Sequence, residues 1–318
     1  MRNTAVTVLI LCVAACMAAP GAQSGSGRDP GPIAITAAAV PLNPGNPSQS
    51  SIGPFTYAGG LVLSSSQTDR LHELSDLVLT GADHLTAVGD GGVFVTMRLL
   101  LDAAGNLTGV SDGQLTPMEG EDGVPLTNEA ADAEGLGLLP NGDRLVSFER
   151  HHRVLLYPAN GGRPRAVPKP SEAFREANGG MEALATDPDV APDAYVVGEE
   201  VTGQTWSCRI STACVLDRLV PRPAGTSLVA IRKLPAGRTA YLFRGFDGKS
   251  HIVLQVVRDG RVEAELDLAP PLTVDNFEGV AAVERPGGVT RFYLLSDDNA
   301  SSSQRTLLLA FDWRAPRP

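Results

Sequence analysis

A pair of short β-rich runs around a turn recurs along this 318-residue chain and limits what it can become. The clearest copy reads Glu134-Gly-Leu-Gly-Leu-Leu, then Pro140-Asn-Gly-Asp143, then Arg144-Leu-Val-Ser-Phe-Glu149, with Arg153-Val-Leu-Leu-Tyr157 after a break. Apolar runs separated by a Pro-Asn-Gly turn read as a meander of hairpins. Further copies begin near Glu73, Met181, Ser227 and Phe277. Their starts fall about 45 to 60 residues apart, the period of a four-stranded propeller blade. The fold class expected is therefore all-β, a β-propeller of five blades. A degenerate sixth could lie within Asp112 to Asp132. Strand count alone also allows a β-sandwich, but regular recurrence of the same pair favours the propeller. The last unit runs out of strands at Thr306 to Trp313, while Phe55 to Ser64 is left over at the start. Pairing these N- and C-terminal strands would close the ring and remove its open edges.

The domain plan follows from composition. Residues 1–22 carry one Arg, an apolar run from Ala5 to Ala15 and then small residues, the layout of a signal peptide. Val13-Ala-Ala-Cys16 also fits the lipoprotein cleavage pattern, which would leave a lipid anchor at Cys16, against ordinary cleavage near Ala19 or Ala22. Residues 23–50, rich in Gly, Ser, Pro and Ala, read as a flexible linker, and residues 51–318 as the propeller domain. No other segment has the apolar length of a membrane span. Helix-period patterning is confined to Ser171 to Ala177. Cys208 and Cys214, a lone close pair in an exported chain, read as a local disulfide. These features place the protein outside the cytoplasm, as a monomer that is periplasmic, secreted or lipid-anchored at the cell envelope.

A formal charge of -10 with no basic block argues against a nucleic-acid partner. The acids are not scattered. In a meander blade the start of the first strand and the end of the second emerge on one face. Acids begin the first strands (Glu73, Asp76, Glu134, Glu182, Glu278) and end the second (Asp90, Glu149, Glu199, Glu200, Asp297, Asp298), so they gather at one mouth of the channel. Crowded carboxylates repel one another unless cations sit among them. Without a thiolate cluster or a close histidine pair at metal spacing, the expected ion is Ca²⁺, with Mg²⁺ as the alternative, held by Asp90, Glu134, Glu182, Glu278 and Asp297. The competing view is that each acid merely ties down a strand end. Arg98, Arg150, His152 and Arg244 are candidates for holding a small anionic substrate such as a phosphate ester. Glu149, Glu199 and Asp298 are the candidate catalytic carboxylates. Gly109-Val-Ser111-Asp-Gly113 matches a nucleophile elbow, but that motif requires a strand running into a helix and none is expected there.

Asp132-Ala-Glu134-Gly-Leu with Ser147-Phe-Glu149, Gly180-Met-Glu182-Ala-Leu-Ala, and Asn276-Phe-Glu278-Gly-Val-Ala with Leu294-Leu-Ser-Asp297-Asp-Asn299 together resemble the phytase-like domain of exported bacterial proteins described as having esterase-like activity. The resemblance runs from about Ser51 to Trp313. It implies a β-propeller and hydrolysis of a phosphate ester or other ester. Gly89 and Gly91 flank Asp90 where such domains usually read Ser and a basic residue, and the unit at Ser227 lacks both acids. Two accounts remain open: a metal-assisted hydrolase, and a non-catalytic binding module with a structural cation.

Overall fold

A computed structural model describes residues 31–171 and 179–316 of the chain. The expected signal peptide with Cys16, the first residues of the linker and nearly all of the expected helix at 171–177 lie outside them. The described residues form an all-β propeller of five blades. Blade 1 runs outward through Leu74–Thr80, His84–Gly89, Val93–Leu101 and Leu107–Pro117. Blade 2 comprises Ala133–Leu138, Arg144–Phe148, Arg153–Tyr157 and Arg165–Val167, and blade 3 Ala183–Thr186, Ala194–Gly198, Gln204–Arg209 and Cys214–Leu219. Blade 4 is Thr226–Leu234, Arg238–Phe246, Ser250–Arg258 and Arg261–Leu268. Blade 5 takes Asn276–Arg285, Val289–Asp297 and Leu307–Arg314 from the end of the chain and Phe55–Ser64 from its start. Leu308 opposes Leu61 and Asp312 opposes Thr56, so the ring closes by the expected pairing.

Burial explains the sequence texture. Innermost strands touch those of both neighbouring blades and are buried without a break, as in Leu74–Val78. Outermost strands have a free face and alternate, as in Glu263–Leu268. The buried apolar side chains form five clusters, one at each blade interface. Each blade is thus held by its two neighbours.

Two expectations are corrected. Among the described residues there is no sixth blade: the chain from Leu107 to Pro117 is the fourth strand of blade 1, and the following residues cross to blade 2 through a 3-10 turn, Asn128–Ala130. Part of the segment expected as a linker is sheet instead. Thr36–Ala39 pairs with Phe55–Ser64 and Gly31–Pro32 with Leu107–Pro117, extending blades 5 and 1 at their outer edges. Edge strands carry unpaired backbone groups, and a small-residue segment can lie flat against them. Its few large apolar residues are anchored, with Ile33 and Leu42 buried. The disulfide between Cys208 and Cys214 is present, joining the two outer strands of blade 3. Among the described residues no helix is long and apolar enough to cross a membrane.

Candidate functional site

Strand register makes three positions per blade equivalent at one mouth of the channel. The first holds Glu73, Asp132, Gly180, Ser227 and Asn276. The second, two residues on, holds Ser75, Glu134, Glu182, Val229 and Glu278. The third, where the second strand ends, holds Asp90, Glu149, Glu200, Arg244 and Asp297. The backbone repeats with them: the amides of Asp90, Glu149 and Glu200 donate to the carbonyls of Glu73, Asp132 and Gly180 at 3.1, 2.9 and 3.2 Å. In four blades the register between the two strands slips at this point, as between Phe277 and Gly279. Such bulges re-aim a side chain, here that of the second position.

The Glu-Gly pairs of the sequence have a packing reason. A Cβ on Gly135 would lie 2.7 Å from the Glu182 carbonyl oxygen of the next blade, and one on Gly279 would lie 2.9 Å from the Cα of Asp76. Each glycine lets its blade approach the next closely enough to bring the acids together. Ser147 reinforces the contact, its hydroxyl accepting from the Gly135 amide at 2.9 Å and donating to the Met181 carbonyl at 2.6 Å.

Nine of the fifteen positions are carboxylates, and one, Arg244, is basic. Blade 4, which lacks the acids, therefore supplies the ring's cation. Arg244 donates to Glu278, and to Glu200 at 3.0 Å and Asn276 at 3.2 Å, bridging blades 3 and 5. The opposite side has no cation at a ring position, and Arg150 reaches it only at its border, through Asp132 and Glu149. There Asp90, Asp132 and Glu134 each bring an oxygen within 4.8 Å of the others. Burial, and then the charges of Glu182, Asp90 and Asp132, push Glu134 well above the usual carboxylate range. Burial raises Asp90 likewise, against a 2.6 Å hydrogen bond from Ser75, with Asp297 and Asp132 adding to the shift. Burial and the nearby Glu200 raise Glu182 to about 8, and burial raises Asp297 to about 6. Glu149 is raised by burial although it accepts from the Gly179 amide. The whole rim therefore attracts positive charge.

Asp90, Glu134, Glu149, Glu182, Glu278, Asp297 and Arg244 all stand in this ring, as the sequence reading expects. Asp132 belongs with them and is not among the site residues expected; its match in register to Glu73 is the signal. Arg150 borders the ring, 3.1 Å from Asp132 and 3.6 Å from Glu149. His152 is half-buried in the wall, where a Cβ on Gly180 would meet its ring at 2.8 Å.

Three assignments are corrected. Glu199 is one residue out of register with the ring: its side chain accepts from Thr202 in the following turn, and Glu200 takes the ring position. Asp298 is out by one in the other direction. Its carboxylate accepts from Thr306, from the amides of Glu73 and Ala300, and meets His72, so it is not a free base. Burial alone would raise Asp298, but the hydrogen bonds from His72, Thr306 and Glu73 prevail and hold it below its ordinary value. Adjacent side chains of an extended strand point to opposite sides, which is why neighbours with the same charge have different roles. Arg98 lies at the far end of its blade, opposite His84, and pairs with Asp83 at 2.9 Å. Asp76 is likewise below the rim, sealed against Arg232 at 2.6 Å inside the channel.

A five-bladed propeller with one acidic mouth defines the class. Residues 69–300 match the family described as Phytase-like, esterase-like activity of phytase, and the chain belongs to it. No curated protein matches the sequence. Solved structures of similar shape include virginiamycin B lyase from Staphylococcus aureus, at 9% identity over 87% of this chain and 99% of that one with a TM-score of 0.43. Another is a protein of unknown function from Bacteroides caccae, at 11% identity over 84% of each chain with a TM-score of 0.41. Likeness at this level says nothing about activity.

Proposed function

We propose that the protein is an exported hydrolase acting on a phosphate ester at the acidic mouth, assisted by a hard divalent cation, Ca²⁺ before Mg²⁺. The observation that carries this reading is the imbalance of the ring, nine carboxylates against one arginine. The donor set suits the ion. Asp90, Asp132 and Glu134 offer only oxygen, are close enough to share a ligand, and in the first and last cases are driven toward protonation without one. A cation held there would neutralise the rim, draw the phosphate oxygens and spread charge that develops on them. Arg244 and Arg150, on either side, would orient the anion. The family description, which names esterase-like activity, agrees with this chemistry. The Cys208–Cys214 disulfide suits an oxidising compartment.

The test is a panel of phosphomonoesters and carboxyl esters on the purified chain, with Ca²⁺, with Mg²⁺ and with a chelator. Cation-dependent turnover of a phosphomonoester, lost in Glu134→Gln while the melting temperature holds, is the expected result. No turnover in any condition, combined with a melting temperature that falls on chelation, would reassign the protein as a binding propeller with a structural ion.

A further inference from the structure

Of the three carboxylates expected to move a proton, Asp298 is saturated, Glu199 turns away and Glu149 accepts from the Gly179 amide. Beside it stands a histidine with no family motif around it. His72 precedes the innermost strand of blade 1, and its Nδ1 lies 2.7 Å from Oδ2 of Asp298, which follows the second strand of blade 5. The two residues are brought together only by closure of the ring.

Asp298 is built to orient rather than to react. It is 4% exposed, and besides His72 it accepts from the Thr306 hydroxyl at 2.7 Å and from the Glu73 and Ala300 amides at 3.1 Å each. Asn299 and Ala300 both take left-handed backbone (φ 48° each), wrapping the turn around this carboxylate. A carboxylate fixed by so many donors accepts only, so the proton shared with His72 sits on Nδ1, and the lone pair of the neutral imidazole is on Nε2. The His72 side chain is 47% exposed, so the ring reaches solvent while Nδ1 is engaged inward. The next residue, Glu73, is also left-handed (φ 53°), an uncommon state for a residue with a Cβ that concentrates at functional sites. Its carbonyl accepts from the Asp90 amide at 3.1 Å, which ties the histidine's backbone to the carboxylate ring. Gly89 makes room for this. A Cβ there would lie 2.8 Å from the Glu73 carbonyl oxygen and 3.3 Å from that of His72.

We propose that His72 is the proton-transfer residue of the site and Asp298 its positioning residue, an inference that rests on the hydrolase reading above. Nε2 of His72 takes a proton from water as the water oxygen bonds to phosphorus. The bond from phosphorus to the ester oxygen breaks with its electron pair on that oxygen, which lies in line on the far side of the phosphorus and takes its proton from solvent, while the imidazolium gives its own proton to solvent, releasing the alcohol and inorganic phosphate. No covalent enzyme intermediate is formed, in keeping with the lack of a motif for one.

The experiment compares the wild-type chain with His72→Gln and His72→Gly on a phosphomonoester. Glutamine can still donate to Asp298, so it preserves the tie and removes only the base. His72→Gln is expected to lower kcat by about 10²–10⁴-fold with little change in KM or melting temperature. Added imidazole is expected to restore part of the kcat of His72→Gly, a rescue that a purely structural histidine would not show. An active wild type whose kcat survives in His72→Gln, or loss of kcat with no imidazole rescue, overturns the role of His72 and leaves the hydrolase reading standing. A wild type with no turnover overturns both.

Discussion

Asp76 and Glu134 are carboxylates of adjacent blades, both buried, and their surroundings are opposite. Asp76 accepts from Arg232 at 2.6 Å and from the Leu136 amide at 2.8 Å, and Arg232 also donates to the carbonyls of Leu184 and Leu77 at 2.8 and 2.7 Å. This network ties blades 1, 2, 3 and 4 across the channel. Below it lies a cavity of about 180 Å³ lined by all five innermost strands, including Val78, Leu136, Ala185, Arg232 and Ala281. Glu134 has other carboxylates for company and no cation of the chain. Burying a charge with a fitted partner holds blades together, whereas burying several like charges together leaves a demand that a ligand can meet.

The sharpest way to break this comparison is at the channel. Arg232→Met leaves Asp76 buried without its cation and is expected to lower stability by about 3–5 kcal/mol, with Asp76→Leu added to the same chain recovering most of it. Urea denaturation measures both, and a single variant costing under about 1 kcal/mol would show that the pair is not a tie. At the rim the sign reverses. Glu182 rises from 4.5 to about 8, so the folded protein retains a proton that the unfolded chain has given up. Without added cation, stability is full below about pH 4.5 and is lost as pH rises toward 8, and Glu182→Gln removes that loss. The variant should therefore be more stable than wild type by about 4 kcal/mol at pH 8 and equal to it at pH 4. Thermal melts across that range check it; a destabilised variant at pH 8 would mean the rim is already matched in charge. The smallest effects are expected where the register correction removes a residue from the site. Glu199→Gln and Arg98→Gln should each stay within about 0.5 kcal/mol of wild type with unchanged turnover. Loss of activity in Glu199→Gln would put Glu199 back in the ring.

Much of the architecture is legible in the sequence because it is repeated. Each blade must start an innermost strand against its neighbours and turn before its second strand, so an apolar run, a turn rich in Gly, Pro or Asp and a second apolar run recur and mark the ring. Closure is legible for the complementary reason that one strand is missing at one end and spare at the other. What the sequence conceals is any choice between adjacent acids. Glu199-Glu200 and Asp297-Asp298 read alike, and only the register of each strand decides which member faces the channel. Arg98 is misplaced because strand direction, not proximity to Asp90, determines the face on which a residue emerges. His72 has no local signal at all: its partner is 226 residues away and meets it only after the ring has closed. The segment from Gly31 to Ala39 is concealed by composition, since Gly, Pro and Ala describe a tether as well as a flat edge strand.

The seam in blade 5 has a consequence for how the protein is made. Phe55–Ser64 is synthesised before any other strand of the five blades, yet its antiparallel partner, Leu307–Arg314, follows only after the whole of blades 1 to 4. Phe55 and Leu61, both fully enclosed in the finished ring, have no complete surroundings until then. A chain that stops short of Leu307 leaves an early strand without its mate, so quality control by length is built into the topology, and a propeller of this kind matures only as a whole.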